Sequence, residues 1–204
     1  LSISGFDLFS PPAFTLPGCA ESSRPLARLV IGGRDVDGIV TALARIENAA
    51  LREVTGTVLD GAGAPVAGVH VHAQGVMGPY LTRATPAAMG RFSVHVPMTS
   101  AVGLRAWRAG DGFSNTATVA ANATTAALRF EPVGSLRVTA REAGTDAALP
   151  VRVQVFPMGA PLRDPSETLG EDAPEGGRVH AVFPVDGVAS LRVRPGMYRV
   201  VVSR

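Results

Sequence analysis

The segment Val-His-Val-His-Ala places His70 and His72 two residues apart. In an extended strand, side chains at i and i+2 leave the same face, so both imidazoles point to one side. Two ring nitrogens so placed can ligate a transition metal when a third ligand joins them. His95, in the alternating run 92–96, is the candidate third. The competing reading is a polar face on a half-buried strand, since Val69, Val71 and Ala73 fill the opposite side. A closed metal site takes three or four ligands. The sequence shows no tighter set, so the polar face is the expectation, with no metal and no cofactor.

Other groups invite chemistry of their own. Cys19 lies in Leu-Pro-Gly-Cys-Ala, which resembles a bacterial lipidation box and would imply a lipid anchor. No basic segment precedes it and Asp7 interrupts the apolar stretch, so a lone buried thiol is expected instead. Asp164, Glu167, Glu171, Asp172 and Glu175 stand against Arg163 alone in a run rich in Pro and Gly. Several carboxylates can hold calcium, but the spacing of a calcium loop is missing and a long exposed loop is expected. Arg137, Arg141, Arg152, Arg192 and Arg194 fall on the outward side of alternating strands. They suit an anionic glycan or an acidic partner or, more simply, a solvated sheet face. Tyr80, Trp107 and Phe113 are the candidates for a sugar-stacking platform. No nucleophile elbow, zinc-protease, phosphate-loop or dinucleotide fingerprint is present.

The 204 residues are 46% hydrophobic, 18% charged and 5% aromatic, the balance of a chain that builds a core. One cysteine excludes a disulfide scaffold. No stretch approaches the roughly 18 uninterrupted apolar residues of a membrane helix. The 19 basic residues are all Arg and stand against 17 acidic ones, a net of +2. Nucleic-acid binders carry a larger excess on one face, with interleaved aromatics, so nucleic acid is not an expected partner.

These groups must be positioned by elements whose period is legible. Residues 1–52 read as an N-terminal extension. Its prolines keep the start irregular, Phe6, Leu8, Phe9, Phe14 and Leu16 are expected to pack, and Leu29 to Ile31 reads as a short strand. A helix is expected over about 36–50, with Ile39, Leu43, Ile46 and Ala50 on one face and Asp35 or Asp37 capping its first turn. From Glu53 the period falls to two. Val54/Val58, Val69/Val71, Tyr80–Thr85, Phe92/Val94, Leu104/Ala106, Ala117/Val119 and Leu128/Phe130 mark about seven short strands. The pattern restarts near Gly134, through Leu136/Val138, Val153/Val155, Val179/Ala181/Phe183, Ala189/Leu191 and Tyr198/Val200/Val202. Thr57 and Thr139, 82 residues apart in matching contexts, mark an approximate internal duplication. The fold class is all-β: two tandem antiparallel β-sandwiches, 53–132 and 133–204, after one short helix. The second is expected to be cut at its C-terminal end.

Gly56, Val58, Pro65, Gly68, Val69, Val71, Gly90 and Phe92 carry a pattern that resembles the carboxypeptidase regulatory-like family, with Met89 where that family has Asp. The second repeat is similar more loosely, through Asp186, Gly187, Pro195, Gly196 and Tyr198. The resemblance implies prealbumin-like (transthyretin-like, Ig-like) sandwiches and no reaction. The ending P-G-M-Y-R-V-V-V-S-R also resembles the region before a PHP-type metal-dependent hydrolase domain in large bacterial proteins. No such domain lies in this sequence, so no activity is carried over. The function expected is a non-catalytic scaffold or protein-interaction segment of a larger bacterial protein, extracellular or in the periplasm and cell envelope. Its partners would be other domains of the same polypeptide or a separate protein. The alternatives are a carbohydrate-binding module and the accessory region of a hydrolase.

Overall fold

Alternating side chains build strands only where a neighbouring strand satisfies the backbone. In the computed structural model, residues 15, 17–19, 21, 30–158, 169, 171 and 177–204 are described. The chain divides into two compact units, Leu1–Ile31 and Gly32–Arg204. In the first, Cys19 occupies an exposed turn, so the thiol expected to be buried is open to solvent. Phe6, Leu8, Phe9, Phe14, Leu16 and Leu29 lie outside the described residues. Val30 and Ile31, the described residues of the expected strand, are not in a strand, and Ile31 is 85% exposed.

The second unit opens with α1 (Asp35–Glu47). It continues through β1 (Leu51–Leu59), β2 (His70–Gly75), β3 (Tyr80–Ala84), β4 (Arg91–Pro97), β5 (Val102–Arg108), β6 (Gly112–Phe113), β7 (Ala117–Val119) and β8 (Thr125–Arg129). β9 (Gly134–Thr139), β10 (Arg152–Met158), β11 (His180–Val182), β12 (Val188–Val193) and β13 (Met197–Ser203) follow. Among the described residues the chain is thus mostly β, with one α-helix and several sheets.

One sheet runs β4-β1-β8 and another β3-β2-β5, with β6 and β7 on the far edge of β5. Val54, Val58, Val71, Leu104 and Leu128 are wholly buried in the core they share. β4 is antiparallel to β1, but β8 is parallel to it, with Val58 opposite Leu128. That departs from the all-antiparallel pairing expected. After β7 the chain crosses to the other sheet, and it reaches β1 running in the same direction. A second core collects Val153, Val155, Ala189 and Leu191 from β11-β10-β13 and β12-β9, with Tyr198 packed against it. β11 differs from expectation: Val182 faces Val153, while Ala181 sits opposite Gln154 and Phe183 is 70% exposed. A shift of one residue exchanges the two faces of a strand.

α1 lies against β3 and β4, edge strands of different sheets. Its aspartates do not cap it. Asp35 accepts from the Thr85 N–H at 2.9 Å and the Thr85 hydroxyl at 3.0 Å. Asp37 Oδ1 accepts from the His95 N–H at 2.8 Å and the Thr82 hydroxyl at 3.2 Å, and Oδ2 lies 2.7 Å from His95 Nδ1. Hydrogen bonds to a carboxylate stabilise by about 1.5–3 kcal/mol each, enough to set which side of this short helix faces the sheets. Asp37 and Ala44 go inward, and Ile39, Leu43 and Ile46 are left 39–45% exposed.

Asp37→Ala should therefore lower the unfolding free energy by about 2 kcal/mol, because the His95 N–H and the buried Thr82 hydroxyl lose their acceptor. Asp37→Asn keeps one carbonyl oxygen for those donors and should lose less. Urea unfolding measures both; equal losses would contradict the assignment.

Candidate functional site

Val71 and Ala73 of β2 point into the core, which sends His70 and His72 to the outer face. There His72 stands between Arg83 of β3 and Arg105 of β5, and His70 stands opposite Trp107. His72 is nevertheless only 1% exposed. Its cover comes from the connection between β10 and β11, where Leu169 and the Glu171 side chain are both 3% exposed. Glu171 Oε1 lies 2.6 Å from His70 Nδ1, 2.9 Å from His72 Nε2 and 3.4 Å from the Arg83 guanidinium. The His70 contact is an aligned hydrogen bond; His72 Nε2 is near the oxygen but off the line an N–H requires. Leu169 joins His72, Gln74, Arg105 and Thr116 around a cavity of about 190 Å³.

Burial pushes the His72 pKa down to about 3, and the positive charges of His70, Arg83 and Arg105 act in the same direction. Its ring is therefore neutral at neutral pH, with Nδ1 3.3 Å from the Tyr80 hydroxyl. Burial raises that phenol to about 12, against the pull of Arg83 and with a further push from Glu171. The cluster is a carboxylate clasp: His70 and Arg83 hold Glu171, and neutral His72 and Tyr80 fill the space beneath.

The expected exposed acidic loop is thus corrected at Leu169 and Glu171. Arg163, Asp164, Glu167, Asp172 and Glu175 lie outside the described residues. His95 does not join the other two histidines. It sits on β4, in the other sheet, bonded to Asp37. Among the described residues, no group of three or more His, Cys, Asp and Glu is arranged to hold a metal ion. Trp107 and Phe113 are cross-strand partners, and the Arg105 guanidinium lies 4.3 Å over the Phe113 ring. Tyr80 stands apart from them, on β3 opposite Gln74.

A second polar cluster joins the two cores. The turn between β5 and β6 carries Asp111, whose carboxylate is fully buried. It accepts from Arg108 at the end of β5, and from Arg192 of β12 at 3.2 and 3.4 Å. Arg194 donates to the Asp111 carbonyl, and to the Phe113 carbonyl at 2.5 Å. Gly110 belongs to the same fit: a Cβ there would stand 2.4 Å from His180 Nε2 and 2.5 Å from the Arg192 carbonyl oxygen. Tyr198 closes the cluster by donating to the Arg194 carbonyl at 2.8 Å. Arg192, its side chain half exposed, and Arg194 both serve the junction, because a buried carboxylate needs cationic donors within reach. Arg137, Arg141 and Arg152 remain exposed.

Sequence reasoning passes over Asp111, since Gly-Asp-Gly reads as an ordinary turn. It also passes over Arg83 and the buried role of Glu171, which no local pattern separates from solvated charges.

No protein-family model matches the chain, and no curated protein matches it. Among solved structures it is similar to the shaft pilin SpaA from Lactobacillus rhamnosus GG, at 12% identity over 76% of this chain and 88% of that one, with a TM-score of 0.43. A streptococcal ancillary pilin is similar at 13% identity over 76% of this chain and 54% of that one, TM-score 0.38. A DUF3823 family protein from Parabacteroides merdae is similar at 14% identity over 76% and 92%, TM-score 0.33.

Proposed function

We propose that this chain is a non-catalytic scaffold of the bacterial cell envelope: two prealbumin-like sandwiches in tandem, 53–132 and 133–204, held at a fixed angle and offering sheet edges to protein partners. The observation that carries the reading is the buried Asp111 junction, which ties one hydrophobic core to the other through Arg192 and Arg194. The Glu171 clasp is a second tie, from the β10–β11 connection back to β2 and β3. A device for presenting partners needs such fixed geometry; a flexible linker would not supply it.

Strand correspondence supports the tandem reading. Gly56 pairs with Phe92 and Val54 with Val94; Val138 pairs with Ala189 and Leu136 with Leu191. Val71 pairs with Ala106 and Ala84, and Val153 with Val202 and Val182. Gly90 and Gly187 match as well, at φ of 65° and 70°. A Cβ would stand 2.5 Å from the Val58 carbonyl oxygen at the first and 2.5 Å from the Ala140 carbonyl oxygen at the second. Only glycine meets both conditions at low cost.

Asp111→Ala combined with Arg194→Ala and Glu171→Gln should release the two bodies from each other, since Arg194 holds backbone carbonyls that the Asp111 change leaves in place. Each arginine can turn to water, so the stability cost is modest, about 1–3 kcal/mol. The larger effect is expected in small-angle X-ray scattering, as a longer and broader distance distribution with the far-ultraviolet dichroism unchanged. An unaltered distribution would remove the junction as the source of rigidity.

A further inference from the structure

The two ends of the first β body differ in charge. Gly75 pairs with Val102, and Val102 with Val119. Leu51 pairs with Pro97. The β2–β3 turn, the β4–β5 connection and the β7–β8 connection therefore share one end of the sandwich. No residue in 75–79, 98–101 or 120–124 carries a charge. At the other end Asp60, Asp111 and Glu131 lie in the connections and Arg108 ends β5, and Asp111 meets the second body. At the charge-free end the β2–β3 hairpin closes tightly. The Gly78 N–H donates to the Gly75 carbonyl at 3.1 Å, and the Gly75 N–H to the Pro79 carbonyl at 3.0 Å. The central residues of that turn are Val76 and Met77, where Gly, Pro, Asn, Asp or Ser is usual. Met77 is 99% exposed, Val76 52% and Met98, in the neighbouring loop, 46%. Local rules are broken chiefly where function sets the residue. The loops are also braced from beneath. Arg52, itself buried, donates to the Ser100 carbonyl at 2.9 Å and to the Ala123 carbonyl at 2.5 Å.

We propose that this end of the first body docks on a lipid surface, with the Val76–Met77 tip and Met98 entering the acyl boundary. The chemistry selects lipid over a protein partner. Protein interfaces surround their apolar anchors with a polar rim and use charge to orient the partner. A hydrocarbon layer rejects charge and asks for no register, and the three loops carry no charge at all. Their apolar side chains stand on turns that project beyond the strand ends, so a fluid layer can close around each of them. Met is unbranched and pliable, which suits such an irregular medium. Thr99, Ser100, Asn122 and Thr124, all exposed, flank the tips. Their hydroxyl and amide groups bond to headgroups and water without an ion being moved out of water. The Arg52 brace holds two of the loops in place beforehand, so docking does not have to order them.

The proposal goes beyond the scaffold reading and stands apart from the junction: scattering that shows a mobile junction leaves it intact. Its test is flotation of the full 204-residue chain with phosphatidylcholine vesicles on a sucrose gradient. Half of the protein should float at roughly 1 mM accessible lipid, the affinity that burial of these few side chains supports. Salt at about 0.5 M should leave that fraction unchanged, because no ion pair is involved. Vesicles should slow amide exchange at 76–78 and 98–101 and not at 87–90. Met77→Ser should weaken partitioning about tenfold, and Met77→Asp should reduce it to background. Met89→Asp is the matched control. Met89 is 66% exposed in the β3–β4 connection, at the charged end, with a φ of 63° that Asp tolerates. That variant should float like the parent. Both positions are solvated, so the melting curves should stay unchanged. A chain that ignores vesicles would leave this end to a protein partner and overturn the proposal. So would flotation that needs anionic lipid and vanishes in salt, or equal losses from Met77→Asp and Met89→Asp.

Discussion

Gly56→Ala should destabilise the fold by about 3 kcal/mol or more. A Cβ at this position would stand 2.0 Å from the Ala126 carbonyl oxygen and 2.6 Å from an atom of the Phe92 ring. Phe92 is its partner on β4, and Ala126 its partner on β8, so the methyl group is caught between two strands. A ring can turn aside. A backbone carbonyl in a ladder cannot, so β8 must move away from β1, and Leu128, wholly buried, moves with it. Gly68 is the matched control: its φ is 69°, with nothing within 4 Å of a Cβ. Gly68→Ala carries only the left-handed backbone penalty, about 1 kcal/mol. Urea midpoints for the two variants decide the matter; a Gly56→Ala midpoint no lower than that of Gly68→Ala would show that the strands do not approach so closely.

Stability should also fall as pH drops from 6.5 toward 3, with His72 responsible for part of the slope. The folded His72 pKa is pushed down to about 3, chiefly by burial, from an ordinary value of 6.5. Below pH 6.5 the unfolded chain takes up a proton that the folded chain refuses. The stabilisation is thus fully present above 6.5 and is lost as pH falls toward 3. The limiting slope is about 1.4 kcal/mol per pH unit. His72→Leu removes this titration while leaving the carboxylates of the rest of the chain in place. Across unfolding free energies measured at pH 7, 6, 5 and 4, the wild type should therefore lose stability relative to His72→Leu as pH falls. Parallel curves would mean that His72 is solvated in the folded state.

The fold was largely legible because inward positions alternate. Val54 and Val58, Val71 and Ala73, and Val153 and Val155 are each buried as their spacing requires. Period two cannot, however, say which strand lies beside which, so the parallel placement of β8 is a tertiary fact. Helical period likewise marked Ile39, Leu43 and Ile46 as one face without saying that aspartates would claim the inner side. The candidate site was legible only in part. The common side of His70 and His72 follows from strand geometry. Their partner Glu171 lies about a hundred residues later, beyond the reach of any local pattern. Asp111 was hidden for the same reason: besides neighbouring Arg108, its cation is Arg192, 81 residues later.

The parallel pairing of β1 with β8 also bears on the order of events during synthesis. β1 is made first among the strands, yet one of its edges stays bare until Thr125–Arg129 has left the ribosome. Every intervening hairpin can form locally before then; this contact cannot, and loop closure over so long a span slows folding. In that interval the Val54 and Val58 face lacks the side chain of Leu128. The nascent chain is then most open to capture by chaperones or by its neighbours.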